Sequence, residues 1–134
     1  MMTLKSETFP IANSDDVVRV RQIARSWAAE LKFSLVEQTK FVTATSELAR
    51  NTLEHGGGGT MLAEIIEAGA RKGLRLTFQD QGPGIANIDL ALRDGYTTGN
   101  GMGLGLSGSK RLVNEFDIKS EAGQGTTVTI VRWK

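Results

Sequence analysis

The chain has 134 residues, of which 40% are apolar and 23% are charged, and these proportions are those of an ordinary folded domain. Sixteen Lys and Arg against 15 Asp and Glu give a net charge of +1, which does not support a nucleic-acid partner held by bulk charge. The lack of Cys excludes disulfides, thiol catalysis and thiolate metal sites. Because no apolar run is longer than three residues, we expect no membrane span and no signal-peptide core. A length of 134 residues predicts a single domain over residues 1–134, and the expected location is the cytoplasm.

The first 55 residues contain no glycine and have the patterns of one strand and two helices. A short strand is predicted at residues 3–9. Ser14 is a suitable N-cap for a first helix, whose apolar residues follow helical spacing. Ser34 and Glu37 have the spacing of a capping box, so a second helix is predicted to begin there and to end at the glycines after His55.

The second half of the chain alternates strand and helix patterns with glycine-rich loops. Its predicted elements are strands at residues 60–67 and 74–79, a short helix at 89–93, a helix at 105–114, and strands at 116–121 and 126–133. Turns at residues 68–73 and 122–125 join neighbouring strands, which predicts a mixed but mainly antiparallel sheet. With the amphipathic helices on one face of this sheet, the fold class is predicted to be a two-layer α/β (α+β) sandwich.

Two polar residues of the second predicted helix, Glu47 and Asn51, are four positions apart and therefore project from the same helix face. The carboxylate is a candidate general base, and the amide oxygen is a candidate ligand for a hard cation such as Mg²⁺. This stripe lies beside the apolar one, so we expect both side chains at the rim of a cleft. A solvated helix face is the alternative explanation.

A tight turn follows the second strand of the hairpin. Asp80 at the strand end can accept a hydrogen bond from a ligand amino group, while Gly82 and Gly84 on either side of Pro83 allow a flat ring to approach the backbone. An ordinary Asx-type turn would explain the same residues.

The most glycine-rich loop leads directly into a predicted helix. Its backbone N–H groups suit phosphate binding, and the candidate residues are Gly101, Gly103, Leu104, Gly105 and Leu106. A merely flexible loop is the alternative. A dinucleotide-binding motif is excluded because no strand comes immediately before the loop and a hairpin follows it.

The last turn ends in a threonine that could contact a ligand directly or through water. This residue is Thr126, which follows Gly125 at the start of the final predicted strand. A plain hairpin turn would explain the same pattern.

In this order, the four motifs resemble those of the GHKL ATPase/kinase superfamily, whose ATP-binding domain has the Bergerat fold. Residues 46–51 are similar to its N box, residues 80–85 to its G1 box, residues 101–106 to its G2 box, and residues 125–126 to its last box. The chain is too short to include the extra domains of histidine kinases, gyrases or chaperones. The resemblance therefore favours the small anti-sigma regulatory serine/threonine kinases of bacteria, and among them the RsbT-type switch kinases of the stressosome.

This resemblance implies a role for each matching residue. Glu47 would orient or deprotonate the attacking hydroxyl of the substrate, and Asn51 would coordinate the Mg²⁺ that bridges the phosphates of ATP. Asp80 would accept from the adenine amino group, with Thr126 assisting. The remaining predicted nucleotide-binding residues are Gly82 and Gly84 beside the adenine, and Gly101, Gly103, Leu104, Gly105 and Leu106 in the lid and phosphate cradle.

The resemblance also implies partners. The expected activity is transfer of the ATP γ-phosphoryl group to a Ser or Thr of a STAS-domain antagonist or scaffold protein. The alternative is an RsbW-like anti-sigma factor that sequesters a sigma factor. Binding and activation of a PP2C-type phosphatase is a third possibility, which can coexist with the kinase activity. No nucleic-acid or membrane partner is expected, and a monomer or a homodimer would fit. His55 is expected to be structural or near the phosphates, and the glycines at 56–59 are expected to loosen the end of the N box.

Overall fold

The structure is a computed structural model, and it describes residues 1–93 and 106–134. Its elements are β1 (Met2–Ile11), α1 (Ser14–Glu30), α2 (Leu35–Glu54), β2 (Gly59–Ala68), β3 (Arg71–Asp80), α3 (Ile88–Ala91), α4 (Leu106–Arg111), β4 (Glu115–Ser120) and β5 (Thr126–Trp133). The order of strands and helices predicted from the sequence is confirmed. The predicted phosphate-binding residues Gly101, Gly103, Leu104 and Gly105 lie outside the described residues.

The starts of the two long helices are set by side chains that bind free backbone N–H groups. The N-cap of α1 is Asn13 and not the predicted Ser14, because the Asn13 side chain accepts from the N–H of Asp16 at 3.0 Å while its own backbone stays extended. The predicted capping box of α2 is confirmed. Ser34 and Glu37 each accept a hydrogen bond from the other's backbone N–H, at 3.1 and 3.0 Å.

The sheet has the strand order β1-β2-β3-β5-β4, and all four pairings between the described strands are antiparallel. The predicted mainly antiparallel sheet is therefore confirmed, and no parallel pairing occurs between the described strands. The predicted turn at 68–73 is too long, because the pairing of β2 with β3 continues to Ala68 and Arg71. Only Gly69 and Ala70 connect the two strands, and Gly69 has the positive φ of 61° that two-residue hairpins favour.

Helix α4 ends at Arg111, three residues before the predicted end at 114. The chain turns there through a hydrogen bond from the N–H of Leu112 to the carbonyl of Ser109 at 3.1 Å. Asn114 then donates its N–H to the carbonyl of Val131 at 2.9 Å, which aligns the chain with β5 just before β4 begins.

The core lies between the sheet and the helices, as a two-layer arrangement requires. The predicted inward face of α2 is confirmed, because Phe41, Ala44 and Leu48 are almost fully buried. They pack in one cluster with buried side chains of the sheet such as Leu76 and Ile130. None of the helices in the described residues is both long and apolar enough to cross a membrane.

The strand register defines two ends of the sheet. At one end, Ile11, Gly59, Asp80, Thr126 and Ser120 follow one another across neighbouring strands. Helix α2 finishes at this end, because the ring of His55 lies 3.3 Å from the carbonyl of Gly84 in the loop after β3. We call the opposite end, where β1 and α2 begin and β5 finishes, the distal end.

Candidate functional site

A cleft opens beside the end of the sheet that carries Asp80. It is lined by Leu48, Asn51, Thr52, His55, Phe78, Asp80, Ile85, Leu106, Thr126 and Val128. Helix α2 forms one wall, β3 and β5 form the floor, and the loop after β3 and the first residue of α4 complete it. The structure thus brings together four of the residues singled out in the sequence, namely Asn51, Asp80, Leu106 and Thr126.

The two oxygens of the Asp80 carboxylate have different hydrogen-bonding environments. Its Oδ1 accepts the N–H of Gly82 at 2.9 Å and the N–H of Thr126 at 3.2 Å. Within residues 1–93 and 106–134, no donor to Oδ2 is present, although the residue is only 7% exposed. The structure therefore contains the Asx-type turn that the sequence suggested, but the turn uses only the Oδ1 atom of Asp80. The other oxygen is available as an acceptor for a ligand in the cleft.

The glycines after His55 bring the end of α2 close to Asp80. A side chain at Gly56 would clash with the Asp80 carboxyl group, and a side chain at Gly82 would meet the Cα of Gly56 at 2.6 Å. The expectation that this glycine run loosens the end of the N box is therefore wrong at Gly56, because the position is a tight contact between α2 and the loop after β3.

Gly84 fits its position for two reasons. Its φ of +74° lies in the left-handed region, and a Cβ would clash with the carbonyl oxygen of Glu121. The His55 Nε2 lies 3.3 Å from the carbonyl oxygen of Gly84 and donates to it when that nitrogen carries the proton. This contact agrees with the structural role expected for His55, at one wall of the cleft.

Ser120 was not singled out in the sequence, and it holds three parts of the cleft together. Its Oγ accepts the N–H of Ile85 at 2.7 Å, donates to the carbonyl of Gly125 at 2.9 Å, and lies 2.8 Å from the Thr126 Oγ1. Because the one hydroxyl proton of Ser120 goes to Gly125, the proton in the last contact comes from Thr126. Thr126 consequently presents only lone pairs to the cleft. A serine at the end of a strand has no sequence signal that would have revealed this role.

Glu47 lies one helical turn before Asn51 on α2, as predicted. Its side chain is 40% exposed, and it does not line the described part of the cleft. Its Oε1 lies 3.4 Å from the Arg50 guanidinium. The carboxylate is therefore one helical turn from a residue that lines the cleft, and it is partly open to solvent.

The predicted metal ligand, Asn51, suits a cation that takes only one or two of its ligands from the protein. In the part of the chain that the structure describes, no group of three or more His, Asp and Glu side chains could hold a metal ion. Mg²⁺ usually keeps several waters and uses one or two protein oxygens together with substrate phosphates. One amide oxygen from Asn51, which lines the cleft, is compatible with that mode of binding.

Comparison with known proteins agrees with this geometry. The sequence profile of the histidine kinase-, DNA gyrase B- and HSP90-like ATPases matches residues 36–134. Serine/threonine-protein kinase RsbT from Bacillus subtilis (strain 168) is 43% identical over 118 residues, which cover 88% of this chain and 89% of that protein. The anti-sigma F factor of Geobacillus thermodenitrificans (strain NG80-2) is 31% identical over 125 residues, which cover 87% and 84% of the two chains.

Two solved structures have the same fold. The crystal structure of the RsbU and RsbW domains of Rv1364c from Mycobacterium tuberculosis superposes with a TM-score of 0.65 at 25% identity; it covers all of this chain, which spans 33% of the solved one. The catalytic domain of histidine kinase ThkA superposes with a TM-score of 0.57 at 13% identity, covering 96% and 95% of the two chains.

The chain belongs to the histidine kinase-, DNA gyrase B- and HSP90-like ATPase family, and its fold is the ATP-binding fold of that family. Within the family it is an ATP-using serine/threonine-protein kinase of the anti-sigma regulatory type. The resemblance noted from the four sequence motifs is confirmed.

Proposed function

We propose that this kinase transfers the γ-phosphoryl group of Mg·ATP to a Ser or Thr of a STAS-domain protein in a bacterial partner-switching pathway, and that it does so in the cytoplasm as a single catalytic domain. The observation that carries the proposal is the position of Glu47. This carboxylate lies one helical turn before Asn51, which lines the cleft, and its side chain is 40% exposed, which supports a role in meeting a hydroxyl on another protein.

The cleft supplies the parts needed to hold the nucleotide. The free Oδ2 of Asp80 suits the adenine amino group, and the Thr126 lone pairs suit a second donor on the base or a bridging water. Leu48, Phe78 and Val128 supply an apolar surface for the flat ring. Bound Mg²⁺ would neutralise charge on the phosphates, and Asn51 would give it one protein oxygen.

The proposed reaction is a direct transfer. The substrate hydroxyl oxygen forms a bond to the γ-phosphorus, the bond from that phosphorus to the β,γ-bridging oxygen breaks, and ADP leaves. Glu47 accepts the hydroxyl proton. Because Glu47 is within 3.4 Å of Arg50 in the structure, the arriving hydroxyl has to compete with this exposed ion pair, which is worth about 0–1 kcal/mol and is therefore easily displaced.

The test compares two conservative substitutions on one helix. In Glu47→Gln we expect ATP affinity close to that of the wild type and phosphoryl transfer reduced about 10²- to 10⁴-fold, the usual contribution of a general base. Glu54→Gln is the matched control, because Glu54 is an exposed residue at the end of α2 and has no proposed role. If the two variants transfer phosphate equally well, Glu47 is not the base.

A second candidate function is supported by the anti-sigma F factors, which are about 30% identical to the chain over most of its length. In that case the protein binds a sigma factor and releases it when a STAS-domain antagonist binds. A PP2C-type phosphatase is a further candidate partner. Pull-down assays with the sigma factor, the STAS-domain protein and the phosphatase separate these candidates, and an exclusive interaction with the sigma factor would favour the second function.

A further inference from the structure

The distal end of the sheet, opposite the cleft, carries an unusual concentration of exposed apolar side chains. Among the described residues, six large apolar side chains are exposed, and five of them are at this end. They are Met1, Met2 and Leu4 at the start of β1, and Leu35 and Val36 at the start of α2. Scattered exposed apolar residues are ordinary, but five at one end of a small domain are typical of a contact surface.

A groove with three lysines in its lining lies at the same end of the domain, although none of the five exposed apolar residues lines it. The groove is lined by Glu30, Leu31, Lys32, Ala70, Lys72 and Lys134. Glu30 is paired with Lys5 at 3.1 Å. Neither Lys32 nor Lys72 forms an ion pair within the described residues. The groove therefore presents lysines without a direct ion-pair partner, although Glu67 lies opposite Lys72 in the β2–β3 register.

The backbone conformation at Lys32 does not favour a lysine in the turn after α1. Lys32 is the one residue other than glycine with positive φ in the described part of the chain, at 63°. It follows the C-cap of α1, a position where glycine or asparagine normally relieves the strain. A lysine at this position costs free energy, and its side chain lines the groove.

We propose that the distal end is a second docking surface, which binds an acidic protein segment with aliphatic side chains at helical or alternating spacing. Carboxylates of the segment would pair with Lys32, Lys72 and Lys134, and its aliphatic side chains would contact Leu35, Val36 and the apolar part of the groove. The surface is at the other end of the domain from Asp80 and Glu47, so a partner can stay bound while the cleft holds nucleotide.

The shape and charge of the surface favour this occupant over two others. A second copy of the chain in a two-fold contact would place Lys32 and Lys72 near the same lysines of its partner, and like charges oppose such a contact. A membrane would be expected to meet a protruding apolar surface, whereas the lysines here line a concave groove that accepts a protruding segment.

The test uses the full chain labelled with ¹⁵N and follows backbone amide shifts during three titrations. The first probe is an amphipathic peptide with Leu at every third or fourth position and Glu elsewhere, with a Gln-for-Glu peptide as its control. The second probe is vesicles of phosphatidylglycerol, and the third is dilution of the protein alone. We expect the Glu peptide to shift the amides around residues 32, 35, 36 and 72, to bind at least tenfold more tightly than the Gln peptide, and to weaken as salt is raised.

Matched variants test whether the peptide binds at the distal end. Leu35→Ala combined with Val36→Ala changes only exposed side chains. Lys32→Gln combined with Lys72→Gln removes two charges. Each double variant should bind the Glu peptide at least tenfold more weakly than the wild type. Val18→Ala combined with Arg21→Gln is the control, because it makes the same kinds of change on the exposed face of α1 and should leave binding unchanged. Peptide binding that survives in all of these variants overturns the proposal.

The other outcomes are equally decisive. Shifts at the distal end with vesicles alone would make it a lipid surface, shifts on dilution would make it a self-association surface, and no shifts with the Glu peptide would mean that it is not a docking surface for this chemistry. Each of these results contradicts the proposal. Repeating the titration with Asp80→Asn separates the two ends, because peptide binding should persist even if nucleotide binding fails.

Discussion

Replacing Asp80 by Asn changes a single atom of the cleft and leaves its framework in place. The amide oxygen of Asn can still accept the N–H groups of Gly82 and Thr126, which the carboxylate accepts at 2.9 and 3.2 Å. These two bonds become neutral, which should lower the free energy of unfolding by about 1–2 kcal/mol. The NH₂ group takes the place of the free Oδ2, where in the proposed complex it would face the adenine amino group. An acceptor is thereby replaced by a donor that has no partner.

The expected loss of ATP affinity follows from that exchange. A hydrogen bond to a charged acceptor contributes about 1.5–3 kcal/mol, and an unsatisfied buried donor adds about 1–3 kcal/mol, so ATP should bind at least ~100-fold more weakly. Isothermal titration calorimetry with ATP measures the loss of affinity. The same titration with inosine triphosphate, which has a carbonyl oxygen in place of the amino group, tests whether the loss depends on that amino group. The wild type should prefer ATP, and Asp80→Asn should narrow or reverse that preference.

Two results would refute this reasoning. If Asp80→Asn binds ATP as tightly as the wild type, the carboxylate does not contact the base. If Asp80→Asn lowers the affinity for ATP and for inosine triphosphate by the same factor, the substitution has damaged the cleft and Asp80 does not recognise the amino group. Urea unfolding of both proteins distinguishes these cases, since damage to the cleft predicts a stability loss well above 2 kcal/mol while specific recognition predicts about 1–2 kcal/mol.

Three further predictions concern stability and can be measured by urea unfolding. Gly84→Ala should cost about 2–4 kcal/mol, because the positive φ and the carbonyl of Glu121 both oppose a Cβ; a loss below 1 kcal/mol would contradict this. Ser120→Ala should cost about 1–3 kcal/mol by leaving the N–H of Ile85 without its acceptor, and an unchanged midpoint would refute the three-way contact. The backbone N–H of Ser34 lowers the pKa of Glu37 below its usual 4.5, so this carboxylate stabilises the fold above pH 4.5 and loses its effect as pH falls through the lower folded-state pKa. Glu37→Gln should therefore reduce the dependence of stability on pH in that acidic range, and an identical pH profile would contradict the assignment.

The fold was largely predictable because its elements have strong local signals. The capping box at Ser34 and Glu37 and the buried stripe of Phe41, Ala44 and Leu48 fix α2 from residues within one or two turns of each other. The predicted length of the turn at 68–73 was wrong because of contacts between distant residues. The hairpin at Gly69 is short because two strands pair to their ends, and no pattern within the turn shows that.

The site was predictable to the extent that its chemistry is local. Asn51 stood out by its helical spacing from Glu47, Asp80 and Thr126 stood out beside glycine-containing turns, and the structure brings all three into one cleft. Ser120 was missed because its role depends on Ile85 and Gly125 from two other segments. The tight fit of Gly56 against Asp80 was misjudged for the same reason, since a run of glycines looks identical whether it is loose or packed.

The most direct test of the central claim is the intact mass of the substrate protein. The kinase is incubated with Mg·ATP and the STAS-domain protein encoded nearest to it, and the mass of that protein is measured before and after. The account predicts the addition of one phosphoryl group in the wild-type reaction and its near absence with Glu47→Gln. If ATP binds in the cleft but no STAS-domain protein gains phosphate, the proposed kinase function is contradicted and nucleotide-dependent binding of a sigma factor becomes the better account.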